Sequence, residues 1–193
     1  MKLAVLGGSF NPVHNGHLAL AEAAHREAGF DRVLLVPARF PPHKQAPQEV
    51  CDAQRLHMLT LACPASSWLE VSSIELDREG VSYTIDTLRA LRAQLHDLLT
   101  AKIAMIIGED LVTGFSSWKE AAALACEFDI LLACRPGFPD HSFPFPHRRL
   151  ENEPIAVSSS AIRQAIREGR PWDSLVPPAV YRYIVEQRLY DER

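Results

Sequence analysis

His14 and His17 stand three residues apart in the stretch GGSFNPVHNGH, residues 7–17. Imidazoles at that spacing share one side of a helical turn. Each can donate hydrogen bonds to phosphate oxygens, with added charge when protonated. Gly7 and Gly8 let a ligand approach the main chain closely. Gly16 and His17 fall where a helix would begin, with free N–H groups and the positive end of the helix dipole. The same residues also fit a plain capping turn with two surface histidines, and the stretch by itself leaves both readings open. Two histidines lack the further ligands a metal site needs, so no protein metal site is expected. The glycines match neither GxGxxG nor GxxxxGK[ST], which removes the usual dinucleotide and P-loop fingerprints.

Three other stretches carry the same kind of chemistry. ARFPPHK places Arg39, His43 and Lys44 in a proline-stiffened loop; its plain alternative is a solvated basic loop. GEDL offers Gly108 for close approach and Asp110 as an acceptor for sugar hydroxyls. Alternatively, Glu109 and Asp110 only favour the first turn of a helix. SSSAIR puts Ser158, Ser159 and Ser160 at a helix start with Arg163 one turn on. This is a second anion-binding helix start, or a good cap plus a surface arginine.

The elements that must position these residues alternate along the chain. Strands are expected at 2–6, 31–37, 68–76, 102–108, from 129 and at EPIAV, 153–157. Helices are expected at 16–28, 52–63, 82–95, a serine-capped segment from 116 to 128, 158–169 and 177–190. The proline-rich stretch 138–152 reads as irregular. Such alternation predicts an α/β fold: a Rossmann-like, doubly wound, mostly parallel sheet in a single domain, 1–193. Ligands of such sheets bind beyond the carboxyl ends of the strands. All four stretches follow strands, so they would gather at one edge, around a polyphosphate-bearing ligand.

Composition sets the outer limits. The chain has 193 residues, 47% hydrophobic and 23% charged, with a formal net charge of −4. That balance gives no bulk attraction to nucleic acid or an anionic membrane. Apolar runs are too short for a membrane span or signal peptide, so a cytoplasmic location is expected. Cys51, Cys63, Cys126 and Cys134 fit no zinc or redox spacing and read as reduced, mostly buried thiols. The sequence leaves a homo-oligomer open.

GGSFNPVHNGH and VSSSAIR together resemble the paired signatures of the nucleotidyltransferases with a His-x-Gly-His motif. PPHK (41–44), SYTIDTL (82–88), IGED (107–110), Trp118, CRPG (134–137) and VPPAVYRYI (176–184) narrow the likeness to bacterial nicotinate-nucleotide adenylyltransferases. It runs from Leu3 to Tyr190. The resemblance implies transfer of AMP from ATP to nicotinate mononucleotide, giving deamido-NAD and pyrophosphate, with Mg²⁺ accompanying ATP. It implies that His14, His17, Lys44 and Arg163 stabilise charge on the phosphates. It puts Gly7, Gly8, Ser9, Phe10, Gly16, Gly108, Asp110, Ser158, Ser159 and Ser160 around ATP, with the helices of 159–190 completing that site. It puts Asn11, His43, Thr84, Trp118 and Lys119 on the acceptor side, Trp118 stacking on the pyridine ring and backbone N–H groups meeting its carboxylate. Ser160 replaces a frequent threonine, Glu109 a small residue and Lys119 a frequent aromatic. Alternatives are an adenylyltransferase for nicotinamide mononucleotide or phosphopantetheine, or a nucleotide-binding regulator without turnover.

Overall fold

The apolar runs at Leu3–Leu6, Val33–Val36, Ala104–Ile107 and Ile130–Ala133 are buried along their whole length. A strand buried on both faces belongs in a parallel sheet covered by helices on each side. The structure, a computed structural model, describes residues 1–39, 50–63, 68–134, 143–152 and 155–191. It contains β1 (Leu3–Gly8), α1 (Asn15–Arg26), β2 (Arg32–Pro37), α2 (Asp52–Ala62), β3 (Leu69–Val71) and α3 (Thr84–Gln94). These are followed by β4 (Ala104–Gly108), α4 (Ala121–Glu127), β5 (Asp129–Ala133), β6 (Arg148–Leu150), α5 (Ser159–Arg167) and α6 (Pro178–Glu186).

The six strands form one sheet in the order β3-β2-β1-β4-β5-β6, every pair parallel. Side chains alternate between two cores. Ala4, Leu6, Val33 and Leu35 join residues of α1, α2, α5 and α6. Leu3, Val5, Leu34 and Val36 join residues of α3 and α4. The strand order reverses between β1 and β4, which opens a crevice beyond their carboxyl ends. The loops after β1 and β4 flank that crevice.

Three sequence expectations are corrected. EPIAV is not a strand over its described part: Ile155–Val157 are irregular, and the sixth strand is Arg148–Leu150, inside the stretch read as irregular. RRL carries one apolar residue and needs one, because only Leu150 of this edge strand is buried. The helix read from 116 begins at Ala121, after one tight turn at Phe115–Ser117, and no serine caps it. Its cap is Glu120 in the left-handed region, φ 52°, gripped by Arg89 of α3 at 2.9 Å. The cysteines are all free, but Cys51 and Cys126 are exposed and Cys63 and Cys134 half-buried. Burial pushes the Cys63 thiol up to about 11, which keeps it protonated and unreactive at neutral pH.

Gly16 in the first turn of α1 joins the two signature stretches. A Cβ there would lie 2.8 Å from Val157 Cγ1 and 3.1 Å from His14 Nδ1. Valine is stiff about χ1 and cannot swing aside. Gly7, by contrast, has nothing within 4 Å of a built Cβ. We expect Gly16→Ala to cost about 1–3 kcal/mol through overpacking, and Gly7→Ala to stay within about 0.5 kcal/mol. Urea unfolding of both variants checks the contrast.

Candidate active site

The loop after β1 is held open by its own geometry. Phe10 takes φ 45° and is completely buried. A bulky residue adopts that conformation only where packing compensates it. Here the Phe10 ring meets His17 edge-on, with centroids 4.8 Å apart. His14 precedes α1 in extended conformation and is 3% exposed. Its backbone N–H donates to His17 Nδ1 at 3.2 Å, and the two imidazoles stack at 3.7 Å. That bond fixes the His17 tautomer. Nδ1 accepts, so the neutral ring carries its proton on Nε2 and presents a donor there.

The start of α5 closes onto this loop. Ser158 caps the helix, accepting from the Ala161 N–H at 3.2 Å. Ser159 Oγ donates to the Pro12 carbonyl at 2.8 Å, and Arg163 Nη1 to the Asn11 carbonyl at 2.7 Å. Ser160 is exposed, its Oγ 3.5 Å from Arg163 Nη2. Tyr190, near the end of the chain and 4% exposed, donates its hydroxyl to Asn11 Oδ1 at 2.6 Å. Asn11 is therefore fixed twice, at its carbonyl by α5 and at its side chain by the C-terminal segment. The two signature stretches lie in contact.

On the other face of the sheet a cavity of about 340 Å³ opens beside the carboxyl ends of β1, β2 and β4. Gly7, Gly8 and Ser9 form part of its wall, so the loop that carries the histidines also borders this cavity. Its apolar side includes Val5, Val36, Met105 and Ile107. Thr84 at the start of α3 and Trp118 after the tight turn face it from opposite elements. Lys119 bridges those elements: its Nζ lies 2.8 Å from Asp86 Oδ2 in α3 and 4.9 Å from the Tyr83 ring centroid. The pair is well exposed and contributes about 0.2–1 kcal/mol at most; its effect is to orient the Trp118 segment. Glu75 is the one acid on the wall. Burial raises its carboxyl above the usual carboxylate range, opposed by a 2.8 Å hydrogen bond from Thr87 and by Arg78.

His43 and Lys44 lie outside the described residues. Arg39 Nη1 donates to the carbonyls of Leu76, at 3.2 Å, and Arg78. Gly108 ends β4, and Asp110 sits in the tight turn Glu109–Leu111 that follows. Glu109, a departure from the family pattern, is 6% exposed and pairs with Arg149 of β6 at 2.9 Å. It ties the loop after β4 to the edge strand. Sequence reasoning missed Arg149, Tyr190, Glu75 and Ser82. Of these, only Ser82 fell within a motif quoted from the sequence, SYTIDTL.

A glycine loop at the switch point of a parallel sheet, met by a second helix start, is the site of a nucleotidyltransferase. Residues 5–165 match the family model for cytidylyltransferase-like proteins. A Treponema pallidum relative named "Probable nicotinate-nucleotide adenylyltransferase" is 38% identical, over 98% of this chain and 99% of its own. A Bordetella petrii relative of the same name is 39% identical over 98% of each. The chain belongs to the cytidylyltransferase-like family and, within it, to the group of the nicotinate-nucleotide adenylyltransferases. Its fold matches that of a Plasmodium falciparum nicotinic acid mononucleotide adenylyltransferase complexed with NaAD. The TM-score is 0.80 at 20% identity, over 100% of this chain and 98% of that one.

Tyr190→Phe removes the hydrogen bond to Asn11 Oδ1. It is expected to lower stability by about 1 kcal/mol and kcat by about fivefold, the same energy read at the transition state. Thermal unfolding and steady-state kinetics check it. Unchanged values would show that Asn11 holds its place without Tyr190.

Proposed function

We propose that this chain moves the adenylyl group of ATP onto nicotinate mononucleotide, forming deamido-NAD and releasing pyrophosphate. The observation that carries the reading is the strip Gly7–Ser9, which borders the apolar cavity on one side and leads into the stacked histidines on the other. A phosphate group at that strip has the cavity for its ring on one face of the sheet and the histidine loop with α5 on the other. The kinship with nicotinate-nucleotide adenylyltransferases supports the choice of acceptor.

The attacking atom is a phosphate oxygen of the acceptor and already carries negative charge. It bonds to the α-phosphorus of ATP while the bond from that phosphorus to the bridging oxygen breaks. The electron pair leaves with pyrophosphate, and no proton need be removed. The protein's task is to hold two anions in line and to stabilise the charge that builds on the α-phosphate and leaving group. His17 Nε2–H, His14, Arg163 and Lys44 are assigned that task, together with the N-termini of α1 and α5. The backbone of Gly7, Gly8, Ser9, Phe10 and Gly16 and the capping segment Ser158–Ser160 shape the ATP side. Gly108 and Asp110 meet its ribose. Thr84 and Trp118 hold the nicotinate ring, with Asn11, His43 and Lys119 around the acceptor.

Among the described residues, no group of three His, Cys, Asp or Glu side chains could hold a metal ion. Magnesium is proposed to accompany ATP, held by its phosphates and by water. No helix among the described residues is long and apolar enough to cross a membrane.

Pyrophosphate release with nicotinate mononucleotide, nicotinamide mononucleotide and phosphopantetheine in parallel tests the function. The first is expected to give by far the highest kcat/KM. Preference for another acceptor, or ATP binding without turnover on any, overturns the assignment. His17→Ala is expected to lower kcat by about 10² or more, as for loss of a principal charge-stabilising donor. Near-normal turnover with the fold intact would remove His17 from that role.

A further inference from the structure

Helix α2 buries four residues, and three of them, Met58, Leu59 and Ala62, are apolar members of the core. The fourth is Arg55, 3% exposed. Burying a cation is costly unless partners replace the water it loses. Arg55 has three such partners. Its Nη1 donates to the Ser9 carbonyl at 2.7 Å, and its Nη2 donates to the Ala38 carbonyl at 2.7 Å and to Asp52 Oδ1 at 2.5 Å. Asp52, one turn earlier in the helix, supplies the countercharge. An apolar side chain of similar length would avoid the cost of a buried charge. Only a planar fork, though, reaches two separate carbonyls at once. Ser9 and Ala38 both line the cavity; Arg55 stands behind them and does not.

The two carbonyls stand where strand pairing stops. The register of β1 and β2 ends with Gly8 opposite Pro37. Just beyond it, the Ala38 N–H donates to the Gly8 carbonyl at 2.9 Å. Arg55 takes the next carbonyl of each chain, that of Ser9 and that of Ala38. The carbonyl oxygens of Gly8 and Ser9 are thus both engaged, one by Ala38 and one by Arg55. The peptides that follow them, into Ser9 and into Phe10, are trans. In a planar trans peptide the N–H points opposite to the carbonyl. The Ser9 and Phe10 N–H groups are therefore aimed away from Ala38 and Arg55. At Phe10, φ 45° is a conformation that a bulky residue does not take by local preference, so the surroundings have to impose it.

We propose that Arg55 is a positioning residue for adenylyl transfer: by holding the Ser9 and Ala38 carbonyls from behind, it sets the direction of the Ser9 and Phe10 N–H groups that meet the phosphates. This rests on the function proposed above and deepens it by naming a residue that acts on the reaction through the backbone. Arg55 touches neither substrate, since its guanidinium is buried and bonded to the protein. A strip turned out of line still binds both nucleotides through contacts spread along them. It loses the in-line geometry on which the transition state depends. The loss then falls on kcat rather than on KM, which a merely structural arginine would not show.

The test is Arg55→Lys and Arg55→Met, with steady-state kinetics for both substrates and thermal unfolding. Lysine keeps the charge but has no planar fork to bridge two carbonyls; methionine keeps the length and removes every donor. The kcat is expected to fall about tenfold in Arg55→Lys and about a hundredfold in Arg55→Met, the scale of an ångström's misplacement. Both KM values should stay close to those of the parent protein, so that kcat/KM falls by the same factor as kcat. Met58→Ala, a core substitution in the same helix, controls for lost stability. Its Tm should fall while its kcat, measured well below that Tm, stays as in the parent. Should Arg55→Met fail to fold, Arg55→Lys decides alone. A kcat unchanged in the Arg55 variants, whatever their Tm, marks Arg55 as structural and overturns this inference alone. So does an equal loss of kcat in Met58→Ala, or a loss carried by KM. Absence of turnover with nicotinate mononucleotide in the parent protein overturns the proposed function and this inference with it.

Discussion

The site depends on one contact, between the loop after β1 and the segment that starts α5. The two are about 145 residues apart in sequence and belong to different signatures, yet they interlock at three points. Val157 presses on Gly16, Ser159 donates to Pro12, and Arg163 donates to Asn11. Each bond satisfies a loop carbonyl that regular secondary structure does not reach. Without α5, the carbonyls of Asn11 and Pro12 lose these donors, and the stacked histidines lose the platform beneath their turn. Gly16 is thereby accounted for by packing as well as by any ligand: the approach of Val157 leaves no room for a Cβ.

Around that contact the sheet divides the labour. Helices α1, α2, α5 and α6 cover one face and α3 and α4 the other. The phosphate chemistry is assigned to the first side and the ring of the acceptor to the second. The glycine strip at the end of β1 is the one place where both are reachable. Glycine suits it because a side chain there would narrow the passage between the cavity and the histidines. The far wall of the cavity is braced electrostatically. Arg89 joins α3 to Glu120 and Glu127, and Lys119 joins the Trp118 segment back to Asp86. Exposed pairs of this kind contribute little to stability, but the three together tie α3 to α4 and to the segment that carries Trp118.

Much of the fold was legible because its signals are local. Runs such as AMIIG and DILLA can bury both faces only in a covered parallel sheet, and the Ser158 cap and Pro178 at the first position of α6 follow from backbone chemistry alone. The site was legible as residue types at strand ends. What the sequence hid is non-local. RRL reads as solvent-facing loop until β5 offers it a partner and Arg149 reaches Glu109. EPIAV looks like a strand by composition, yet Val157 is needed as a wedge against Gly16. The bonds from Arg39 Nη1 to the carbonyls of Leu76 and Arg78 are likewise contacts that no local signal announces.

The central claim is spatial: the phosphates lie on the glycine strip, with the two ends of the product on opposite sides of it. A crystal structure of the complex with deamido-NAD measures this directly. The account predicts the pyrophosphate bridge against the backbone of Gly7–Ser9, His17 Nε2 within hydrogen-bond distance of a phosphate oxygen, and the nicotinate ring against Trp118 with its carboxylate at the start of α3. A product lying with its phosphates away from His17, or with the adenine in the Trp118 cavity, would contradict it.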